Sequence, residues 1–268
     1  MKNKKYVMKI VMLTTACSIL LPIIIICIWS VVMRWPFPDL VPTGHSMRGI
    51  VELFGPHSNA IKILLSSILL SIIVALLSTV IGFMSAHAFA FYDFIGKSAL
   101  RFGSMLPLIV PANVFAMGIH VTFIRWNLHD SFAGVIITHI LYSLPYTINI
   151  LTDMRISIGY KYEQQANVLG CNAFQAFWRI TLPIALPAMI ASFSMAYIIS
   201  FSQYFLTMLI GGGKVKTFSM IMVPFISAGD RTIASAYALL FLFSSLFVFL
   251  LFEFIVKKIV IKNQGIKQ

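Results

Sequence analysis

The sequence predicts an all-α membrane protein with six transmembrane helices and a polar helix–turn–helix between the fourth and the fifth. Three observations predict it. Of the 268 residues, 59% are hydrophobic and 10% charged, and the mean hydropathy is +0.93. That leaves too little polar material to cover a soluble globule. Apolar runs long enough to cross a bilayer recur along the whole chain. Tyr160 to Pro187 alone resists description as lipid-facing filler, because it is polar, helix-forming and punctuated by glycine, cap and proline signals at ordered spacings.

The first span is expected at Ile10–Met33, behind the basic start MKNKKYVMK. It is too long for the apolar core of a secretory signal, and no small-x-small cleavage site follows. A Trp/Pro/Gly-rich loop, RWPFPDLVPTGHSMRGIVELFGPHS, leads to a second span, Ile63–Phe91, longer than the hydrocarbon core requires and so tilted or projecting. The third, Phe102–Ile124, holds Pro107, Pro111 and Gly118 and is expected to be kinked. After the loop RWNLHD, Phe132–Thr152 forms the fourth, with a further kink at Pro145. Leu182–Ile210 makes the fifth, residues 211–231 a loop, and Ala234–Val256 the sixth. The chain thus divides into an N-terminal helix with its outer loop (1–59), a five-helix core (60–258) carrying the insert at 155–181, and a basic tail (259–268).

The formal net charge of +12 sits in short clusters at the ends of apolar runs, a pattern of membrane orientation and not of nucleic-acid binding. With the N-terminus inside, thirteen of the twenty Lys and Arg residues fall on inner segments. The positive-inside rule then places both termini and the insert in the cytoplasm of a cell inner membrane. Cys17 and Cys27 lie on one predicted helix, about 15 Å apart and too far to bridge, and Cys171 stands alone. No zinc or redox spacing is present, so each cysteine reads as packing.

Within the insert, Glu163–Leu169 is a run of helix formers, and Gly170 is placed to end it in a left-handed conformation. Asn172 with Gln175 three residues on forms a variant capping box that opens a second helix. Phe174, Phe177, Trp178 and Thr181 recur at helical spacing beside Arg179, giving an expected aromatic face. Pro183 sits near the first turn of the fifth span, where its missing N–H is tolerated. These signals predict a bracket continuous with a membrane helix, its aromatic face suited to a partner's groove. An ordinary amphipathic loop at the membrane surface is the plainer alternative.

At these residues the chain resembles the permease subunits of binding-protein-dependent ABC importers. That family carries Glu-Ala-Ala, three residues, Gly, nine residues, Ile-x-Leu-Pro. Here Gly170 is followed after nine residues by Ile180, Thr181, Leu182 and Pro183. The Glu-Ala-Ala positions hold Gln164, Gln165 and Ala166, with Glu163 one place earlier. The resemblance continues through MLPLIVP at 105–111 and SFSQYFLTMLIGGG at 200–213. It implies that Glu163, Gln164, Gln165, Ala166, Gly170, Phe174, Phe177, Arg179, Ile180, Leu182 and Pro183 couple the permease to a separate ATPase subunit. That subunit, with its ATP and magnesium, would rock a pair of permeases, homo- or heteromeric, between inward- and outward-facing states. An extracytoplasmic solute-binding protein would deliver the solute. The polyamine, iron and thiamine group looks nearest, and a polyamine-like solute ranks first.

No ATPase or other catalytic residue is expected in this chain. Gly211-Gly212-Gly213-Lys214 lacks the upstream glycine of a P-loop and has Val215 where Ser or Thr would hold magnesium. Asp153 and Arg155 have no catalytic partner at a recognisable spacing. The expected span interiors hold one carboxylate, Glu253, which pairs one turn later with Lys257; an ion-coupled transporter usually needs such a group mid-membrane. A secondary transporter or channel is the second reading and a membrane-embedded enzyme the third. Asn113, His120, His139 and Asn149 either line a path or hydrogen-bond between helices, and His87 reads as interfacial. Ser202, Gln203 and Tyr204 lie where polyamine-importing relatives often carry an acidic residue, and are equally suited to substrate contact or to interhelical bonding.

Overall fold

The computed structural model describes residues 2–33, 35, 42, 44–56 and 58–263, with the side chains of 2–5, 256, 257 and 259–263 outside the description. Arg34, residues 36–41, 43 and 57 of the first loop, the side chain of Lys257, the partner expected for Glu253, and the tail from 264 therefore lie outside the described residues. Among the described residues, five helices are long and apolar enough to cross a membrane, or six if one bent pair counts as a span.

Two compact units can be separated, residues 1–62 with 221–244 and residues 63–220 with 245–268. In the first unit, α1 (Lys2–Trp29) is followed by a short helix α2 (Arg48–Phe54) where a loop was expected. Arg48 Nη2 contacts both carboxylate oxygens of Asp230 at 2.6 Å. Thr232 Oγ1 donates to the Val32 carbonyl, and Gly49 passes so close to the Thr232 carbonyl that a Cβ would lie 2.7 Å from it.

The second unit carries most of α3 (Ala60–Phe91), which covers the expected second span. The third span departs from expectation. It is two helices, α4 (Lys97–Ile109) and α5 (Ala112–Arg125), bent by 115°. Val110 and Pro111 are both extended, with ψ 133 and 135, because a residue before proline avoids the helical region and proline has no N–H to rejoin the ladder. Pro107, by contrast, is accommodated inside α4. The predicted kink is therefore a break at Pro111.

Helix α6 (Phe132–Ile158) starts at Ser131, whose side chain accepts from Gly134 N–H, and runs past Pro145 beyond the expected end at Thr152. Gly82 of α3 meets α6 at Thr147, a Cβ there lying 2.6 Å from its Oγ1. The apolar centre joins Leu70 and Val74 of α3, Phe123 of α5 and Val135 and Ile140 of α6.

The expected fifth span is also interrupted. α9 (Leu182–Ser202) stops at Gln203, which is extended, and α10 (Phe205–Gly211) follows. Neither Pro nor Gly marks this break. Instead Thr207 Oγ1 and Ser219 Oγ both donate to the Gln203 carbonyl, at 3.0 and 2.9 Å, supplying the bonds that a continuous helix would have made. Part of the expected loop after residue 211 is helical, α11 (Phe218–Ser227), and α12 (Arg231–Asn263) extends beyond both expected ends of the sixth span.

Candidate functional site

The insert folds as α7 (Lys161–Val168), a turn at Gly170, and α8 (Ala173–Ala176). Gly170 has φ +89, the left-handed region open to glycine. Its N–H and that of Cys171 cap α7 on the carbonyls of Asn167 and Ala166, both at 3.0 Å. The capping box forms reciprocally: Asn172 accepts from Gln175 N–H at 2.8 Å while Gln175 Oε1 accepts from Asn172 N–H at 3.2 Å.

From Ala173 the helix continues to Ser202 as one apolar span, so the bracket's second arm is the base of a membrane helix. Pro183 is then an interior residue of that continuous run. The run absorbs it with a π turn over Phe177–Thr181, where Leu182 N–H reaches back to Phe177 O, a local widening that suits a missing ladder donor.

The expected aromatic face divides in two. Phe174 (71% exposed) and Trp178 (53%) point outward and meet edge-on at 6.0 Å. Phe177 turns inward onto Phe83 of α3 at 6.1 Å, and Thr181 is buried. The reason is helical phase: residues 174 and 178 share one side, and 177 and 181 another. Val168 and Leu169, at the tip of the bracket, are 87% and 84% exposed. Gln164, Gln165, Gly170 and Arg179 are on the surface, Ile180, Leu182 and Pro183 are half-buried, and Ala166 is buried.

Glu163 is directed away from that surface. Its Oε1 accepts from Arg155 Nη2 at 3.1 Å and from Thr181 Oγ1 at 2.5 Å. Arg155, in the last turn of α6, is 2% exposed. Its guanidinium stacks on Phe91 at 4.6 Å and lies 5.8 Å from Phe83. Nη2 also lies 2.7 Å from His87 Nδ1; a guanidinium can only donate, so Nδ1 accepts and the ring carries its hydrogen on Nε2. One arginine thus gathers α3, α6 and α7. This cluster was not foreseen, since Arg155 reads in sequence as one more cytoplasmic charge. A cavity of about 580 Å³ adjoins it, lined by Val80, Met84, Phe177 and Met189 among others.

The residues expected along a path are dispersed. Asn113 is exposed on the first turn of α5, and His120 is half-buried farther along it. Asn149 Nδ2 approaches Met105 Sδ at 3.4 Å, and Ser202 Oγ turns back to the Ile199 carbonyl. Gln203 and Tyr204 sit at the α9–α10 break, half-buried. No hydrogen bond joins one of these six to another among the described residues. His139 bonds between helices, to Ser200 Oγ at 2.9 Å and Thr207 Oγ1 at 3.0 Å. Because Thr207 donates to Gln203 O, His139 Nε2 donates to Thr207 and Nδ1 accepts from Ser200. This histidine pins the broken α9–α10 segment to α6.

Residues 78–261 match the model of the family described as binding-protein-dependent transport system inner membrane component. The molybdate/tungstate transport system permease protein WtpB of Pyrococcus abyssi is 33% identical over 51% of this chain and 55% of its own length; the chain thus spans little more than half of that relative. The spermidine/putrescine transport system permease protein PotC of Haemophilus influenzae is 23% identical over 80% of this chain and 83% of its own. A crystal structure of a bacterial ABC transporter involved in the import of the acidic polysaccharide alginate shares the fold with TM-score 0.69 and 16% identity, covering 94% of this chain and 96% of that one.

Proposed function

Because the chain belongs to the binding-protein-dependent transport system inner membrane components, and is a transport subunit and not an enzyme, we propose that it is half of the membrane pathway of an ATP-driven importer. In this reading a second permease subunit, two ATPase subunits and an external solute-binding protein complete the assembly. The observation that carries the reading is the bracket. A capped helix–turn–helix presents Val168, Leu169, Phe174 and Trp178 outward while its second arm runs without interruption into a membrane helix. A partner that grips the exposed tip moves α9 directly. With the bent α4–α5 pair counted as one crossing, the Lys/Arg distribution supports a reading with both termini and the bracket in the cytoplasm.

For the solute, the sequence expectation is polyamine-like, in line with the Haemophilus relative. A second reading is a small oxyanion, as in the name of the Pyrococcus relative. It is favoured by the lack of any carboxylate in 102–124 and 182–210, the segments that carry Asn113, His120, Ser202, Gln203 and Tyr204. A polycation passing these two segments would find no counter-charge on them.

The test is a mild-detergent pull-down of the tagged chain from native membranes, followed by uptake of labelled spermidine and of labelled molybdate into energised vesicles. A co-purifying P-loop ATPase and ATP-dependent uptake are expected. A chain that purifies alone and transports without ATP would overturn the proposal.

A further inference from the structure

We propose that Glu163 is a positioning residue of the transport cycle: its carboxylate is the strut through which movement of α7, the bracket's first arm, reaches α6, while α9 is reached through the bracket's own continuous second arm. This rests on the importer reading above and assigns the coupling path inside the chain, distinct from the exposed surface that meets the ATPase.

The strut is defined by what holds it and by what does not. α7 packs chiefly against its own bracket partners, α8 and the π turn. Towards α3, in place of a close-packed apolar interface, there is the cavity of about 580 Å³. Glu163 is the polar link beside that space. One oxygen, Oε1, receives hydrogen bonds from two elements, Arg155 of α6 and Thr181 of the run that becomes α9. A displacement of α7 therefore pulls on both. The far end of the strut is itself fixed, because the guanidinium of Arg155 lies over Phe91 and contacts His87. It cannot swing to follow α7 without breaking those contacts.

Helical phase excludes the neighbouring residues from this role. Gln164 lies about 100° further round the helix and is exposed, as is Gln165. Glu163 accordingly does not stand in at the outer surface for the glutamate that position 164 lacks. A charge-assisted bond with little exposure on either side is stronger and stiffer than a neutral one, which suits a part that must transmit displacement.

The experiment uses the full complex with its ATPase, carrying wild-type, Glu163→Gln or Glu163→Asp chains, and compares amide hydrogen exchange with and without ATP plus vanadate. In wild type, trapping changes protection in the bracket, at the inner end of α6 and at the base of α9. In Glu163→Gln the ATPase still co-purifies, and the bracket and the base of α9 that continues it still respond, while the change at α6 falls roughly fivefold, within the range of coupling changes produced by single residues. Glu163→Asp restores part of it. Should Glu163→Gln not fold, as read by its melting in detergent, Thr181→Val replaces it. That variant removes one of the two bonds that fix the carboxylate and is expected to reduce the response at α6, though by less than Glu163→Gln; an unchanged response at α6 overturns the strut.

Equal transmission in Glu163→Gln and wild type overturns the strut. So does loss of ATPase binding with melting unchanged, which would make Glu163 a docking contact. If wild type itself brings down no ATPase, the importer reading fails and the inference with it.

Discussion

Replacing Gly170 tests whether the bracket's turn depends on backbone conformation or on space. Its φ of +89 is a region that side-chain-bearing residues avoid, yet a Cβ built there meets nothing within 4 Å. Within this chain the penalty for substitution is therefore strain alone. Valine, β-branched and disfavoured in the left-handed region, is expected to cost about 2–3 kcal/mol. Asparagine, which tolerates that region better, is expected to cost about 1 kcal/mol. These differences correspond to roughly 30- to 150-fold and roughly fivefold reductions in the population of the native turn. In a pull-down titrated with ATPase subunit, Gly170→Val should lose binding and ATP-dependent uptake while still inserting into the membrane. Gly170→Asn should keep most of both, and Gly170→Ala should fall between. If Ala and Asn are as damaging as Val, the glycine is needed for close approach of the partner and the strain argument is wrong. If Val has full activity, the bracket has no part in coupling.

Two further outcomes concern stability. Gly212, at φ +52, lies so close to the Asp130 carboxylate that any Cβ would overlap it; Gly212→Ala should lower the melting temperature in detergent, and Asp130→Ala in the same chain should restore much of the loss. His139→Leu leaves Ser200 and Thr207 without their shared partner, and about 1–2 kcal/mol of destabilisation is expected, read as earlier thermal unfolding. An unchanged melt would show that the two hydroxyls find other partners.

Much of this protein is written locally. Apolar runs of bilayer length identified the membrane helices, since in lipid only a helix satisfies its own backbone. The bracket was legible for a similar reason: Gly170, Asn172 and Gln175 act through their own dihedrals and caps, so their spacing is enough to place a turn and a second arm, whereas the π turn that carries this arm past Pro183 was not legible. The exposed half of the aromatic face followed from the same periodicity.

What the sequence alone did not determine depends on partners distant in the chain. The break at Pro111 was visible as a proline, but its 115° size was not, because a neighbouring element decides whether proline kinks a helix or ends it. The break at Gln203 has no proline or glycine to signal it; its carbonyl is taken up by Thr207, one turn on, and by Ser219, which comes from beyond α10. Arg155 counts in sequence as a cytoplasmic charge and becomes a buried joint because Phe83, His87 and Phe91, more than sixty residues earlier, close over it. Glu163 faces inward for the same reason. Local propensity decides which residues form a helix, while the side to which each residue points becomes meaningful once a second helix is packed against it.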